Sequence, residues 1–202
     1  MESFSGPVRE LILICAGYTL GCFSTGYYLV RLRTGQDIRT IDSRSTGSTN
    51  VANVLGAAGF WATMLGDFAK GGLAVWAAFH FGLSPWGIVF VMIAVMAGHI
   101  WPAQLGFHGG KGLATGLGIL AAFDYRLALI TGGIALLGPL LGFGTVSFMA
   151  AAIVSPVVAL FLDHQATEVA GLVVLVLLVL IAHRDNIRAF FDGWRGRKGL
   201  QA

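Results

Sequence analysis

Hydrophobic residues in this chain occur in long runs separated by short polar stretches. The first run, at positions 11–30, carries no charged residue, and its 20 residues match a hydrocarbon core of about 30 Å at a helical rise of about 1.5 Å per residue. Six further apolar segments follow at 62–83, 86–102, 113–123, 127–141, 147–162 and 169–182. The pattern predicts an all-α, polytopic membrane protein with about seven transmembrane helices.

Composition supports this prediction and excludes other classes of protein. Hydrophobic residues make up 56% of the 202 residues and charged residues 11%, whereas soluble domains carry about 25% charged residues. So few charges cannot cover a soluble surface, which excludes an ordinary soluble domain, a disordered segment and a nucleic-acid-binding module. The 29 glycines favour close packing of helices. No linker divides the chain, and we expect one domain over residues 1–202.

Positive charges predict the orientation in the membrane. With seven spans, Arg9 and Arg126 fall on one face. The other Lys and Arg residues fall on the opposite face: Arg31, Arg33, Arg39, Arg44, Lys70, Lys111, Arg184, Arg188, Arg195, Arg197 and Lys198. Loops rich in Lys and Arg remain in the cytoplasm. We therefore expect the N-terminus outside and the C-terminus in the cytoplasm.

Two polar patches near the start of the second span contain candidate functional residues. Residues 42–50 read Asp-Ser-Arg-Ser-Thr-Gly-Ser-Thr-Asn, and hydroxyls with backbone amides at a helix start form a phosphate cradle. The alternative is a plain capped loop. Asp67 and Lys70, three residues apart, lie on one helix face and can pair, either for function or only to make the charges tolerable in the membrane.

Two further patches follow on the same face. His99 precedes a Gly109-Gly110-Lys111-Gly112 turn, where backbone and ammonium can approach an anion together. The turn lacks the spacing of a Walker A loop, so ATP hydrolysis is not indicated, and the histidines lack the neighbours that a metal site needs. The last patch, at the end of the final span, contains His183, Arg184 and Asn186.

The ordered set of motifs resembles one known family. The motifs are Asp37-Ile38-Arg39, Gly47-x-Thr49-Asn50, Asp67-x-x-Lys70-Gly71, Gly98-His99-x-x-Pro102, Phe107-x-Gly109-Gly110-Lys111-Gly112-x-Ala114-Thr115 and His183-Arg184-x-Asn186-Ile187. In this order the chain is similar to the bacterial integral-membrane acyl-phosphate:glycerol-3-phosphate acyltransferases of the PlsY type. The resemblance implies seven transmembrane helices in the bacterial plasma (inner) membrane and an active site on the cytoplasmic side. It also implies acyl transfer from acyl phosphate to the 1-hydroxyl of glycerol 3-phosphate.

The resemblance also implies roles for individual residues. Those implied to be catalytic are Ser43, Lys111, His183 and Asn186, with His183 orienting or deprotonating the attacking hydroxyl unless a bound phosphate takes the proton. Those implied to bind substrate or phosphate are Arg44, Gly47, Thr49, Asn50, Gly109, Gly110, Ser147 and Arg184. Those implied to support the site are Asp67, Lys70 and His99. We expect no metal, no cofactor, no nucleic acid and no obligate protein partner; the expected partners are the two substrates and membrane lipid.

The first loop departs from the family's usual pattern. Asp42, Arg44 and Ser45 replace Gly, Gly and Asn, and Asn53 stands where an Arg is usual. Two further departures are Gln104, in place of an aromatic residue, and His108, in place of a Lys. The alternatives are therefore acyl transfer to another small polar or phosphorylated acceptor or, in a different class, a small anion transporter.

Overall fold

The computed structural model describes residues 6–140 and 144–188, and within these ranges the regular structure is helical, without strands. The helices are α1 (Gly6–Cys22), α2 (Thr25–Thr34), α3 (Ser48–His80), α4 (Pro85–Ile100), α5 (Leu113–Phe123), α6 (Tyr125–Leu140), α7 (Gly144–Phe161) and α8 (Ala166–Ala182). The all-α prediction is confirmed. From α4 onwards, the helix ends lie within three residues of the bounds predicted from hydropathy.

The first predicted span is not one continuous helix. The chain leaves helical geometry at Phe23 and Ser24, which leaves carbonyl groups without partners inside the helix. Gln104 Nε2 donates to the Cys22 carbonyl at 2.6 Å, and Lys70 Nζ donates to the Phe23 carbonyl at 2.8 Å. Because backbone groups in lipid need partners from the protein, these two side chains make the break tolerable.

Helix α3 begins earlier than the hydropathy predicts. It starts at Ser48, inside the polar stretch, and its geometry is interrupted at Gly56, where φ is 65° and ψ is −159°. A side chain would strain that backbone conformation, and glycine avoids the cost. The kink separates a short polar entry turn from the long apolar part of α3, so hydropathy detected only the second part.

Helix α4 forms the centre of the bundle. Its buried residues Met92, Val95 and Met96 pack against side chains of α1, α3, α5 and α8. Glycines bring α3 and α5 close together: a Cβ added at Gly118 would meet the Phe68 carbonyl inside any real contact distance. Small residues at such crossings allow backbones to approach, as in membrane helices generally.

The outer surface of the bundle is apolar. Leu32, Leu129 and Phe161 are more than two-thirds exposed, at 84%, 71% and 84%. By length and composition, the segments Gly6–Thr34 and Pro85–Leu105 are each able to cross a membrane. Large exposed apolar surfaces indicate contact with lipid or with other proteins.

A small ionic cluster joins the helix ends at one end of the bundle. His164 lies between Asp124 and Glu168, with nitrogen–oxygen distances of 3.1 and 2.9 Å. Hydrogen bonds from Arg126, with a further one from His164, hold the pKa of Asp124 at about 2. The cluster ties the turn between α5 and α6 to the start of α8.

At the same end of the bundle, Glu10 in α1 accepts a hydrogen bond from the Ser84 amide. The opposite end of the bundle contains the larger polar site.

Candidate active site

A polar cavity opens between the loop before α3 and the ends of α5 and α8. It is lined by Asp42, Ser43, Ser45, Gly47, Ser48, Thr49, Asn50, Asp67, His99, Lys111, Gly112, Leu113, Ala114, His183 and Asn186. All four polar patches identified in the sequence therefore contribute to one cavity.

The first residues of two helices line this cavity. Ser48 and Thr49 start α3, and Leu113 and Ala114 start α5. Neither Gly47 nor Gly112, the capping residues, supplies a side chain to cover the free amides. First-turn amides lack partners within the helix, and the helix dipole adds partial positive charge there. Two converging N-termini favour the binding of an anion.

Lys111 adds a full positive charge to the same cavity. Its Nζ donates to Asn186 Oδ1 at 2.7 Å, which joins the glycine turn to the end of α8. Burial lowers the pKa of Lys111, whereas the carboxylates of Asp185 and Asp42 act in the opposite direction. An ammonium group holds three protons, so Lys111 keeps donors for a ligand beside Asn186.

His183 is held in one tautomer. Its Nδ1 lies 2.8 Å from the Val179 carbonyl, and because a carbonyl only accepts hydrogen bonds, Nδ1 carries the proton. Burial lowers the pKa of His183, and the charge of Lys111 lowers it further against the opposing effect of the Val179 carbonyl. The ring is therefore neutral near pH 7, with an unprotonated Nε2 able to accept a proton.

The side chain of Asn50 is buried and holds together the loop that precedes α3. Its side-chain amide lies 3.2, 3.0 and 2.8 Å from the carbonyls of Ile38, Ile41 and Ser45. The Thr46 amide also donates to the Gly109 carbonyl at 3.3 Å, linking this loop to the glycine turn. The loop is thereby fixed around the cavity before any ligand binds.

Asp67, Lys70 and His99 form a buried cluster on the inner side of the cavity. Lys70 Nζ lies 2.9 Å from Asp67 Oδ1, so the ion pair that the spacing predicts is present. Thr25 donates to the same carboxylate at 3.2 Å, and His99 Nδ1 lies 3.8 Å from it. Asp67 and His99 line the cavity, whereas Lys70 instead supports the break between α1 and α2.

Gly109 and Gly110, both predicted to bind substrate or phosphate, use their backbone amides within the protein. Gly109 donates to the Ile100 carbonyl at 3.1 Å, and Gly110 donates to the His99 carbonyl at 3.0 Å. A side chain at Gly110 would collide with the His99 ring. These glycines therefore pack the turn against the end of α4 and lie outside the cavity lining.

Three other predicted residues also lie outside the described lining. Arg44 is exposed, with a left-handed φ of 56°, and Arg184 is exposed beside Asp185 at 3.8 Å. Ser147 is buried in α7, where its hydroxyl donates to the Ala135 carbonyl at 3.1 Å. None of these three residues is part of the lining of the cavity that contains Lys111.

Sequence reasoning missed the contact between two of the unusual residues in the first loop. Asn53 Nδ2 donates to Asp42 Oδ2 at 2.7 Å, so two departures from the family pattern contact each other. Their separation of 11 residues gave no signal of contact, because a turn and the first part of α3 lie between them. The lining residues Asp42, Ser45 and Ser48 belong to the patch predicted at 42–50 but were not assigned individual roles.

An apolar cavity adjoins the polar one. It is lined by Met96, Gly112, Leu113, Gly116, Leu117, Leu120, Thr131, Ala135, Phe148, Ala151, Ala152, Ser155, Leu172, Leu175, Val176 and Val179. Gly112 and Leu113 line both cavities. A ligand with a charged head and a long apolar tail could therefore occupy the two together.

Comparison with known proteins gives one consistent result. A family model described as "Glycerol-3-phosphate acyltransferase" matches residues 11–193. The chain is 43% identical over 193 residues to glycerol-3-phosphate acyltransferase 1 of Desulfitobacterium hafniense (strain Y51), covering 95% of this chain and 96% of that protein. It is 39% identical over 193 residues to glycerol-3-phosphate acyltransferase of Synechococcus sp. (strain CC9902), with the same coverage of 95% and 96%.

Two crystal structures share this fold. They are the glycerol 3-phosphate form and the lysophosphatidic acid form of PlsY (YgiH), an integral membrane glycerol 3-phosphate acyltransferase. The first superposes with a TM-score of 0.85 at 29% identity and the second with 0.82 at 28%, each covering 92% of this chain and 93% of the other. The chain is a membrane protein of the same helical architecture.

Proposed function

This chain belongs to the glycerol-3-phosphate acyltransferase family, and from that premise we propose that its acyl donor is an acyl phosphate. The acyltransferase moves the fatty acyl group to the 1-hydroxyl of glycerol 3-phosphate, which gives lysophosphatidic acid for phospholipid synthesis. The observation that carries this proposal is the meeting of the anion-binding cavity with the apolar cavity at Gly112 and Leu113. A phosphorylated head and an acyl chain fit such a pair.

The donor chemistry explains the abundance of anion-binding groups. An acyl phosphate already carries a good leaving group, so the enzyme has to position two phosphates and stabilise developing negative charge. Lys111, the amides that start α3 and α5, and the hydroxyls of Ser43 and Thr49 supply donors for this task. The reaction as written requires no metal and no cofactor.

His183 is the proposed proton acceptor. Its Nδ1 is occupied by the Val179 carbonyl, and Nε2 of the neutral ring can take the proton of the 1-hydroxyl as that oxygen attacks the acyl carbon. As the ester bond between the 1-oxygen and the acyl carbon forms, the bond between the acyl carbon and the phosphate oxygen breaks, and inorganic phosphate leaves. Asn186 holds Lys111 beside the reacting groups.

The proposed location is the bacterial plasma membrane, with several spans and the active site in the cytoplasm. The excess of Lys and Arg in the loops on the cavity side supports this orientation. Arg9 contacts the Gly82 carbonyl at 3.2 Å at the opposite end, which is consistent with helices that alternate in direction. Both substrates and membrane lipid are the partners this arrangement requires.

The donor is tested with purified protein, glycerol 3-phosphate and either palmitoyl phosphate or palmitoyl-CoA. We expect lysophosphatidic acid and phosphate in equal amounts from palmitoyl phosphate and no product from palmitoyl-CoA. Lys111→Met should lose at least 100-fold in rate, whereas Arg33→Met, an exposed cation at the end of α2, should match the wild type. Product from palmitoyl-CoA alone would overturn the proposal, as would anion uptake into liposomes without any product.

A further inference from the structure

Asp42 places an exposed carboxylate in the lining of a cavity that also contains Lys111 and two helix N-termini. Asp42 lines the cavity with Ser43 and Lys111, and its charge opposes the effect of burial on the pKa of Lys111. By Coulomb's law a fixed carboxylate repels a phosphate bound nearby. Its presence weakens phosphate binding unless the carboxylate makes a compensating contact with another part of the same ligand.

Asp42 is held in position before any ligand binds. Asn53, on the first part of α3, donates to Oδ2 at 2.7 Å. The backbone of Asp42 has a left-handed φ of 42°, and the Arg44 amide closes the turn onto the Ile41 carbonyl at 2.9 Å. Among the described residues, no group donates to Oδ1. One carboxylate oxygen is therefore anchored, and the other is available to accept a hydrogen bond.

Glycerol 3-phosphate offers a suitable donor. Its phosphate is drawn to Lys111 and the helix N-termini, and its 1-hydroxyl must lie beside His183 to react. The 2-hydroxyl is the remaining donor on the molecule, and it lies between the other two groups. A hydroxyl that donates to a carboxylate forms a short, strong hydrogen bond.

We propose that Asp42 determines acceptor specificity by accepting a hydrogen bond from the 2-hydroxyl of glycerol 3-phosphate. The proposal rests on the proposed function and adds a residue that recognises a non-reacting part of the acceptor. Asn53 is the positioning residue that fixes the carboxylate. An acceptor that has the phosphate but lacks the 2-hydroxyl is repelled by the Asp42 carboxylate and makes no hydrogen bond to it. The enzyme therefore uses such an acceptor less efficiently.

The test compares two acceptors in the purified protein with palmitoyl phosphate as donor. One is glycerol 3-phosphate, and the other is 3-hydroxypropyl phosphate, which keeps the phosphate and the primary hydroxyl but lacks the 2-hydroxyl. We expect the wild type to prefer glycerol 3-phosphate in kcat/KM by about tenfold or more, the value of a hydrogen bond to a charged group. Activity of the wild type on glycerol 3-phosphate tests the proposed function separately from this ratio.

Three variants separate specificity from folding. Asp42→Asn keeps the size and tolerates a left-handed backbone, and Asp42→Gly removes the side chain without strain. The preference should fall in the order wild type, Asn, Gly, and kcat/KM for 3-hydroxypropyl phosphate should not decrease. Asp163→Asn is the matched control, an exposed aspartate with a left-handed φ of 61° at the other end of the bundle, and should keep the wild-type preference.

If an Asp42 variant changes kcat/KM for both acceptors by the same factor, the proposal is wrong, because an equal change indicates a general effect of charge or folding. An unchanged preference in Asp42→Gly would also overturn it. Asn53→Ala should reduce the preference part of the way toward that of Asp42→Gly, and an equal loss on both acceptors would contradict the positioning role.

Discussion

Several side chains around the cavity already have some of their polar atoms in hydrogen bonds within the protein. Asn50 directs its amide to three backbone carbonyls, and His183 gives Nδ1 to Val179. Lys111 uses one of its donors on Asn186. Among the groups left to contact a ligand are Nε2 of His183, the remaining protons of Lys111 and the first-turn amides of two helices.

The tautomer of His183 leads to a prediction about pH. In the proposed mechanism the neutral ring accepts the proton, and the pKa of His183 lies below its usual value because the ring is buried. The midpoint of the decline in kcat toward acid pH should therefore lie below 6.5, the unperturbed value, as the ring becomes protonated. The measurement is kcat against pH with palmitoyl phosphate and glycerol 3-phosphate. A midpoint at or above pH 6.5 would contradict this assignment.

Replacement of His183 tests the same role more directly. His183→Ala should lower kcat by about 100-fold to 10,000-fold, the usual contribution of a general base. His108→Ala is the matched control, since His108 is exposed, bonds to the Gly106 carbonyl and lies outside the cavity lining. Because a buried substitution can affect folding, added imidazole should restore part of the activity of His183→Ala. Near-normal turnover without imidazole would show that another group takes the proton.

The residue types in the sequence were enough to predict which segments line the cavity. They did not predict which hydrogen bonds the atoms of those segments make. The patches at 42–50, 67–71, 98–115 and 183–188 were identified from residue type, and all contribute residues to the cavity. The amides of Gly109 and Gly110, however, are consumed by carbonyls at the end of α4. A sequence names the residue at each position, whereas the availability of its atoms depends on how the backbone packs.

At the level of helices, hydropathy predicted the bounds of the segments from α4 onwards. It failed in the first span, where residues distant in sequence stabilise a break in the helix. The first segment is apolar throughout, and nothing local marks its break at Phe23 and Ser24. The donors that stabilise the break come from Lys70 and Gln104, 47 and 82 residues away. Such a break depends on tertiary contacts that hydropathy cannot express.

The contact between α3 and α5 leads to a prediction about stability. In Gly118→Ala the new methyl group would meet the Phe68 carbonyl, so the two helices would have to separate. We expect a loss of about 1–3 kcal/mol, as for other overpacked sites, and reduced activity because α5 carries Gly112 into the cavity. Thermal unfolding in detergent measures the first effect, and the acyltransferase assay measures the second.

Gly133→Ala on α6 is the control for this substitution. An added Cβ at Gly133 meets no atom within 4 Å, and alanine favours a helix over glycine by about 1 kcal/mol. This variant should unfold at or above the wild-type temperature. If Gly118→Ala and Gly133→Ala unfold at the same temperature, close packing of α3 on α5 does not contribute to stability as argued.

Across the whole molecule, the polar groups are concentrated at the two ends of an apolar bundle. One end contains the cavity around Lys111 and His183, and the other contains the cluster of Asp124, His164 and Glu168. Five helices, α3 to α7, separate Arg33 from Asp163 along the chain. If each of them crosses the membrane, these two exposed residues lie on opposite sides.

That arrangement is tested by cysteine labelling in cells. With Cys15 and Cys22 replaced by Ala, Arg33→Cys and Asp163→Cys each provide one exposed thiol. We expect a membrane-impermeant maleimide to label position 163 in intact spheroplasts and position 33 only after permeabilisation, because the loops rich in Lys and Arg remain in the cytoplasm. The reverse pattern would put the cavity outside, where a cytoplasmic acyl donor could not reach it. Labelling of both positions in intact spheroplasts would contradict five crossings between them.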